Sequence, residues 1–283
     1  MKRRDFITAA TAAGLVGAAQ AAKADLIVPP ANRRRRPEGA PEGTEPRRFG
    51  PRTNFITLEF FYAANKEKRD ALVEKFDAGL IPLRKKVGFQ NIGIFTVNEE
   101  LMANERGYDA AKYDPIVFVV QETANPFAIL NFQTARAEES EQFNLNDDLD
   151  FIDEEIMALR SFKSQPKIDV PYRNPERVLQ LRTYNSPNYE RNARKEKMFE
   201  DFELDLFRRS GMAPVFFGSA LFGSMAPNVT YMLSFENDEK RREGWGNFVN
   251  SDEWKTKSKD PQYERTATRI RNLFLKPSKN SEI

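Results

Sequence analysis

The stretch from Ile81 to Phe95, Ile-Pro-Leu-Arg-Lys-Lys-Val-Gly-Phe-Gln-Asn-Ile-Gly-Ile-Phe, returns in degraded form about half a chain later, from Leu204 to Gly218. In both places an amphipathic run ends in cations, a glycine follows, and a short apolar segment comes directly after it. Arg84, Lys85, Lys86, Gly88 and Phe89 stand against Arg208, Arg209, Gly211 and Met212. This is the signature of a helix C-terminus leading into a strand: cations suit the negative end of the helix dipole, and glycine accepts the left-handed backbone that stops a helix. A chain with two such copies folds as two versions of one α+β unit.

The first copy opens at Asn54 with Phe55 to Tyr62, β-branched and aromatic on both faces and so read as a buried strand. Asn65 caps a helix with Ala71, Leu72, Phe76, Leu80 and Leu83 on one face, and Pro82 is read as a kink in its last turn. Phe89 to Val97 is the next strand, a polar excursion runs from Leu101 to Asp114, Pro115 to Val120 is a central strand, and Pro126 to Ala137 is a second helix. Ile156 to Phe162 passes for helix on propensity, but its counterpart Arg269 to Pro277 reads as a strand, so both are taken as strands. In the second copy, strands are expected at Val178 to Tyr184, Met212 to Phe222, Asn228 to Phe235 and Thr266 to Lys276. Helices are expected at Tyr189 to Arg209 and Glu239 to Asn250.

Each copy, 54–165 and 176–278, thus has the order strand, helix, strand, strand, helix, strand, which is ferredoxin-like. Two helices cover one face of such a sheet and leave the other bare. Because these strands are apolar on both faces, the two bare faces are expected to meet as a pseudo-dimeric α/β barrel within one chain.

Composition narrows the chemistry. The sequence has no histidine and no cysteine, which removes disulfides, thiolate nucleophiles, catalytic imidazoles, zinc sites and the common haem and iron–sulfur ligations. No cofactor and no metal site is expected. Asn144, Asn146, Asp148, Asp150 and Glu155 fall at calcium-loop positions, but Leu149 stands where the loop needs glycine, so a solvated acidic loop is the reading.

Residues 1–24 read as an export signal. Lys2-Arg3-Arg4-Asp5-Phe6-Ile7 is a basic start with the paired arginines of a twin-arginine signal. Ile7 to Ala19 is a short Ala-rich apolar run, and Ala19-Gln20-Ala21 or Ala22-Lys23-Ala24 offers a cleavage site. The run is too short for a membrane anchor, so a periplasmic or otherwise exported protein, handed over by the twin-arginine machinery, is expected. Residues 25–53 are a Pro- and Arg-rich linker carrying Arg33 to Arg36. The whole chain has a formal charge of +2; residues 1–24 carry a surplus of three cations and 25–53 another three, which leaves about −4 from Asn54 onward. The folded part is not basic, and no nucleic-acid partner is expected.

Leu-Arg-Thr-Tyr at 181–184, Ile-Pro-Leu at 81–83, Gly-Phe-Gln-Asn-Ile-Gly at 88–93 and Leu-Lys-Pro at 275–277 resemble the NIPSNAP family in an exported bacterial tandem form. The resemblance extends over nearly all of Asn54 to Ser278. It implies a dimeric-α/β-barrel fold and no settled activity. The sequence departs from the family's strand opening Glu-x-Arg-x-Tyr: the second copy has Gln180 for the acid and keeps Arg182 and Tyr184, whereas the first has Leu58 and Phe60 and keeps only Tyr62.

Gln180, Arg182, Tyr184 and, by the repeat, Tyr62 are therefore the candidate ligand-binding residues. The first three alternate and share one side of a strand, taken to be the barrel interior, with Leu179 and Leu181 toward the helices. There Arg182 either fixes a small organic anion, such as a carboxylate, enolate or phenolate, or pairs with an internal acid. Trp245, Trp254 and Phe248 are read as core. Two function classes follow: a non-catalytic small-ligand-binding or interaction module, and a cofactor-free monooxygenase- or isomerase-like enzyme of the same barrel type. A homo-oligomer stays open. The missing imidazoles and thiols favour the first. Replacing Arg3 and Arg4 by lysine is expected to hold the precursor in the cytoplasm on cell fractionation; normal export of that variant removes the twin-arginine assignment.

Overall fold

The helix stop signals act as their chemistry requires. Asn65 accepts a hydrogen bond from the Lys68 amide and opens α1 (Lys66–Val87), which runs unbroken past Pro82, ends on Arg84, Lys85 and Lys86, and stops at Gly88 with φ 102°. In the second half Asn188 caps α6 (Tyr189–Met198), a π turn at Phe199–Glu203 follows, and α7 (Leu204–Arg209) leads to Gly211 at φ 85°. The computed structural model describes residues 54–143, 145 and 153–283. The expected signal at 1–24, the linker at 25–53 and the calcium-loop-like positions Asn144, Asn146, Asp148 and Asp150 lie outside the described residues.

Eight strands form: β1 (Phe55–Tyr62), β2 (Gln90–Val97), β3 (Ile116–Thr123), β4 (Asp153–Ser161), β5 (Val178–Asn185), β6 (Ala213–Gly223), β7 (Asn228–Phe235) and β8 (Arg269–Pro277). Ile156 and its neighbours are strand despite their helical propensity, because every residue of β1 from Phe55 to Tyr62 pairs with a residue of β4. The excursion after β2 holds two single-turn helices, α2 (Glu99–Met102) and α3 (Ala110–Tyr113), each capped by an acceptor side chain, Asn98 and Asp109. The helix expected at Pro126 to Ala137 is α4 (Pro126–Leu130) followed by α5 (Phe132–Gln142), and the second half adds α8 (Asp238–Asn250) and α9 (Asp252–Lys257).

All strand pairs are antiparallel, in the closed order β1-β3-β2-β8-β5-β7-β6-β4. The architecture is an α+β closed barrel. Pairing is full-length within β1·β3, β1·β4 and β5·β7, but β2 meets β8 at only three positions and β4 meets β6 at five. Backbone groups left over at these two seams still need partners. The last residues supply them to β2: Ser278 donates to the Ile94 carbonyl at 2.8 Å and Glu282 to that of Ile92 at 2.9 Å. Along β6, Phe162 donates to Phe217 at 2.9 Å and Asp169 to Val215 at 2.8 Å.

Both strand faces are buried. Phe61, Ile92, Ile94, Val117 and Val119 face outward and pack with Leu72, Phe76 and Leu80 of α1. Leu58, Phe60, Phe95, Phe118, Met157, Leu159, Leu181, Met232 and Leu273, all at most 1 % exposed, belong to the other cluster and occupy the interior. Apolar burial at about 25 cal/mol per Å² on both faces explains why the barrel needs no polar interior to hold it.

The seam β4·β6 depends on Gly223. Its φ is 114°, and a Cβ there would lie 2.4 Å from the Ile156 carbonyl oxygen and 2.6 Å from the Met157 Cα, main-chain atoms that cannot swing aside. Gly211 needs its positive φ but faces open space. Gly211→Ala is expected to cost about 1 kcal/mol, and Gly223→Ala about 2 kcal/mol or more. Urea-unfolding midpoints check this; equal losses would show that the strand approach at this seam is not constraining.

Candidate functional site

Alternation on β5 does put Gln180, Arg182 and Tyr184 on one face, but that face is the opposite of the one expected. They lie between the sheet and the helices, and Leu179 and Leu181 point into the barrel core. The contacts decide it: the Arg182 guanidinium lies 4.9 Å from the Trp245 ring of α8 and 5.3 Å from the Tyr184 ring, and the Trp245 indole donates to Gln180 Oε1 at 2.8 Å. Tyr184 meets Phe199 of the π turn at 6.2 Å. Two-faced apolar strands reveal which residues share a side and not which side it is.

Tyr62 lies elsewhere. It points into the barrel mouth, donating to Glu155 Oε2 at 2.7 Å, and Glu155 also holds Arg271 at 3.2 Å. Burial, aided by Glu155, pushes its phenol well above the usual range. Glu59 and Phe61 are the fifth and seventh residues of β1 and face its helices, as Arg182 and Tyr184, fifth and seventh in β5, face theirs. Tyr184 therefore corresponds to Phe61, and the match to Tyr62 is off by one residue, which changes the face.

Around Arg182 the structure gathers residues that the sequence did not flag. Tyr231 of β7 sits opposite it in register, and its hydroxyl meets that of Tyr184 at 2.9 Å. Lys195 of α6 and Glu203 of the π turn, 4 % and 2 % exposed, pair at 2.7 Å. Lys195 Nζ also lies 5.3 Å from the Tyr184 ring. The available signal was the run Lys195, Phe199, Glu203, Phe207, spaced by four. A regular helix can hold such a run against a sheet, as unbroken α1 does with Leu72, Phe76, Leu80 and Arg84, all buried; in the second half the π turn spans Phe199 to Glu203 of the run. Phe207, Phe217, Tyr231 and Phe248 close the layer, with Phe217 and Tyr231 stacked at 4.8 Å.

The matching layer of the first half holds saturated charge. Arg84 grips Glu59 with Nη1 at 2.9 Å and Nη2 at 2.7 Å, and also binds Glu139; Arg136 reaches Glu59 at 2.6 Å, and Gln121 donates to it at 3.1 Å. Arg182 has no such match. Its Nε is buried without an acceptor, and no carboxylate lies within ion-pair distance among the described residues. Glu203 is taken by Lys195, and Glu105, at the rim, accepts from Asn272 at 3.1 Å.

Arg182, Tyr184, Trp245 and Asn272 each keep some exposure, so the layer reaches solvent at this point. Asn272, the register partner of Arg182, lines a pocket of about 120 Å³ with Arg106, Tyr108, Tyr113 and Arg271. A wider groove of about 710 Å³ lies between α1 and the β2·β8 seam and touches none of the candidate residues. Burial, with Tyr184 adding to it, holds the Tyr231 phenol protonated far above its usual range. Of the two facing hydroxyls, one proton joins them and the other is free for a bound acceptor. Arginine plus phenol is a set of donors for an oxyanion.

Residues 179–282 match the NIPSNAP family model. The match spans the second half of the chain. The Arg182 layer thus lies within the matched residues, and the saturated Glu59 layer lies outside them. Solved structures similar over most of the chain include a "putative monooxygenase" from Lactobacillus acidophilus, 12 % identical over 80 % of this chain and 94 % of that one, with a TM-score of 0.50. Another of the same description, from Fusobacterium nucleatum, is 11 % identical over 80 % and 93 %, with a TM-score of 0.53. An uncharacterized NIPSNAP-like domain protein from Burkholderia xenovorans is 19 % identical over 37 % of this chain and 87 % of its own, with a TM-score of 0.32. At these identities the likeness to the first two is one of fold. No curated protein matches this sequence.

Burial raises the Glu203 carboxyl above its usual 4.5, against the opposing pull of Lys195. A carboxyl with a raised folded pKa contributes stability that is complete below the unfolded value and is lost as pH rises through the folded one. Relative to Glu203→Gln, the wild type should therefore lose stability as pH increases above about 4.5. Urea unfolding of both proteins from pH 4 to 8 tests this, and a constant difference between them would exclude Glu203 as a titrating buried acid.

Proposed function

We propose that the chain is a small-organic-anion-binding module whose site is the Arg182 layer of the NIPSNAP half. One observation carries this: a half-buried guanidinium with an unpaired, buried Nε, at the very position where the first half has a fully neutralised carboxylate. The buried charges agree. Glu59, Arg84, Arg136 and Glu139 balance one another, whereas Arg182, Lys195 and Glu203 leave one positive charge over. An anion completes the second set. The same inventory is read here as two ferredoxin-like units in tandem, the first a diverged copy, with strand orders β4-β1-β3-β2 and β8-β5-β7-β6 in support. Delivery by the twin-arginine machinery, with residues 25–53 as a linker, belongs to the same proposal.

A second reading, a cofactor-free enzyme acting on such an anion, is favoured by one feature. The raised Glu203 carboxyl and the Tyr184–Tyr231 hydroxyl pair put proton-transfer groups in the layer that holds Arg182. The two neighbours named as monooxygenases share the fold, which is analogy only.

Arg182→Leu separates ligand binding from structural pairing. It breaks no ion pair, so its unfolding free energy is expected to stay within about 1 kcal/mol of wild type, lost cation–π contact being offset by relief of a buried charge. Arg84→Leu leaves two buried carboxylates, Glu59 and Glu139, to share Arg136, which is 3.9 Å from Glu139, and is expected to cost about 3–5 kcal/mol. Native mass spectrometry of protein from its own compartment should show a small acid lost on Arg182→Leu. A large destabilisation by Arg182→Leu with ligand occupancy unchanged would overturn the proposal.

A further inference from the structure

Resting on that reading, we infer that the ligand is a flat aromatic anion and that it enters by displacing the Trp245 indole from the Arg182 guanidinium. The Nε of Arg182 is buried, so an anion reaches it only if a neighbour moves. Tyr184 is a poor candidate, held by the Tyr231 hydroxyl at 2.9 Å, with Lys195 against its ring. Trp245 is partly exposed, meets Phe207 and Phe248 edge-on at 5.8 and 5.7 Å, and has one polar anchor, the 2.8 Å bond to Gln180, whose amide is separately held by Asn272 at 2.7 Å and stays when the indole leaves.

The helix under Trp245 is built to yield. Gly244 and Gly246 flank it inside α8. Gly244 is required by packing, since a Cβ would fall 2.8 Å from Met212 Cγ, but a Cβ on Gly246 would meet nothing within 4 Å. Glycine weakens a helix interior relative to alanine, and at Gly246 no close contact demands it. What that position retains is backbone freedom beside Trp245.

The displaced group defines its replacement. An indole face lies over the guanidinium at 4.9 Å, and a ligand that removes it must restore a π face there as well as bring an acceptor to Nε. An aromatic carboxylate or phenolate does both; an aliphatic acid of equal size supplies only the charge. The remaining hydroxyl proton of the Tyr184–Tyr231 pair provides a second donor.

The test uses the full chain with benzoate, cyclohexanecarboxylate and acetate, measured by titration calorimetry. A Trp254→Phe variant, which leaves Trp245 as the sole tryptophan, reports the indole by its emission. Benzoate is expected to bind at least tenfold more tightly than the other two, to change Trp245 emission with the same midpoint, and to bind at least threefold more weakly to Gly246→Ala. Equal affinities for the three acids, or Arg182-dependent benzoate binding with unmoved Trp245 emission or unaffected by Gly246→Ala, would overturn this inference and leave the anion-binding reading in place. Failure of benzoate to bind wild type also overturns it. The anion-binding reading itself falls only if Arg182→Leu changes no ligand occupancy in native mass spectra.

Discussion

Most strands of this barrel bury residues on both faces, and both must be kept from water. The inner faces are satisfied by closing the sheet on itself, the outer ones by helices. Closure is the harder requirement, because the seams β2·β8 and β4·β6 are short. The chain completes them with irregular segments, 278–283 along β2 and 162–169 along β6, which donate the hydrogen bonds that neighbouring strands do not. An exposed edge beside an apolar face would be an aggregation surface, so these segments are as much part of the barrel as the strands.

Once the interior is filled by side chains such as Phe60, Phe95, Phe118 and Met157, polar chemistry is displaced to the layers between sheet and helices. There the two halves diverge. Counted from their Asn caps, α1 presents Leu72, Phe76, Leu80 and Arg84 where the second half presents Lys195, Phe199, Glu203 and Phe207. The first helix thus spends its one sheet-facing charge on Glu59. In the second, the two charges on the helix satisfy each other and leave Arg182 without either.

Much of the scaffold was legible in the sequence because its signals are local. Asn65, Gly88 and Gly211 marked helix ends by backbone chemistry that tertiary packing seldom overrides, and the repeat settled Ile156 to Ser161 as strand against its own propensity. The site was legible only in part. Gln180, Arg182 and Tyr184 were found because alternation is local, but their face depends on the partners of the strand, and Lys195, Tyr231 and Trp245 come from three other elements. Tyr62 was drawn in by a one-residue error in matching the copies, enough in a strand of period two to move a side chain from the helix layer to the barrel. The π turn was hidden for a related reason: the spacing of four that it serves is also compatible with an ordinary helix.

The location of the unmatched charge follows from relative cost. An unpaired guanidinium deep in the filled interior would meet only apolar walls, and the desolvation of its charge would oppose folding of the whole barrel. At the solvent-reaching point of a sheet–helix layer the same group keeps partial hydration and rests on the Tyr184 and Trp245 faces, which compensate it without fixing it. Cation–π contact has this advantage over an ion pair: it can be exchanged for a better electrostatic partner without stranding an opposite charge. Glu59 shows the contrasting case, since any ligand displacing Arg84 from it would leave buried charge on both sides. A layer neutralised internally is committed to stability, whereas one whose guanidinium rests only on aromatic faces keeps a net positive charge.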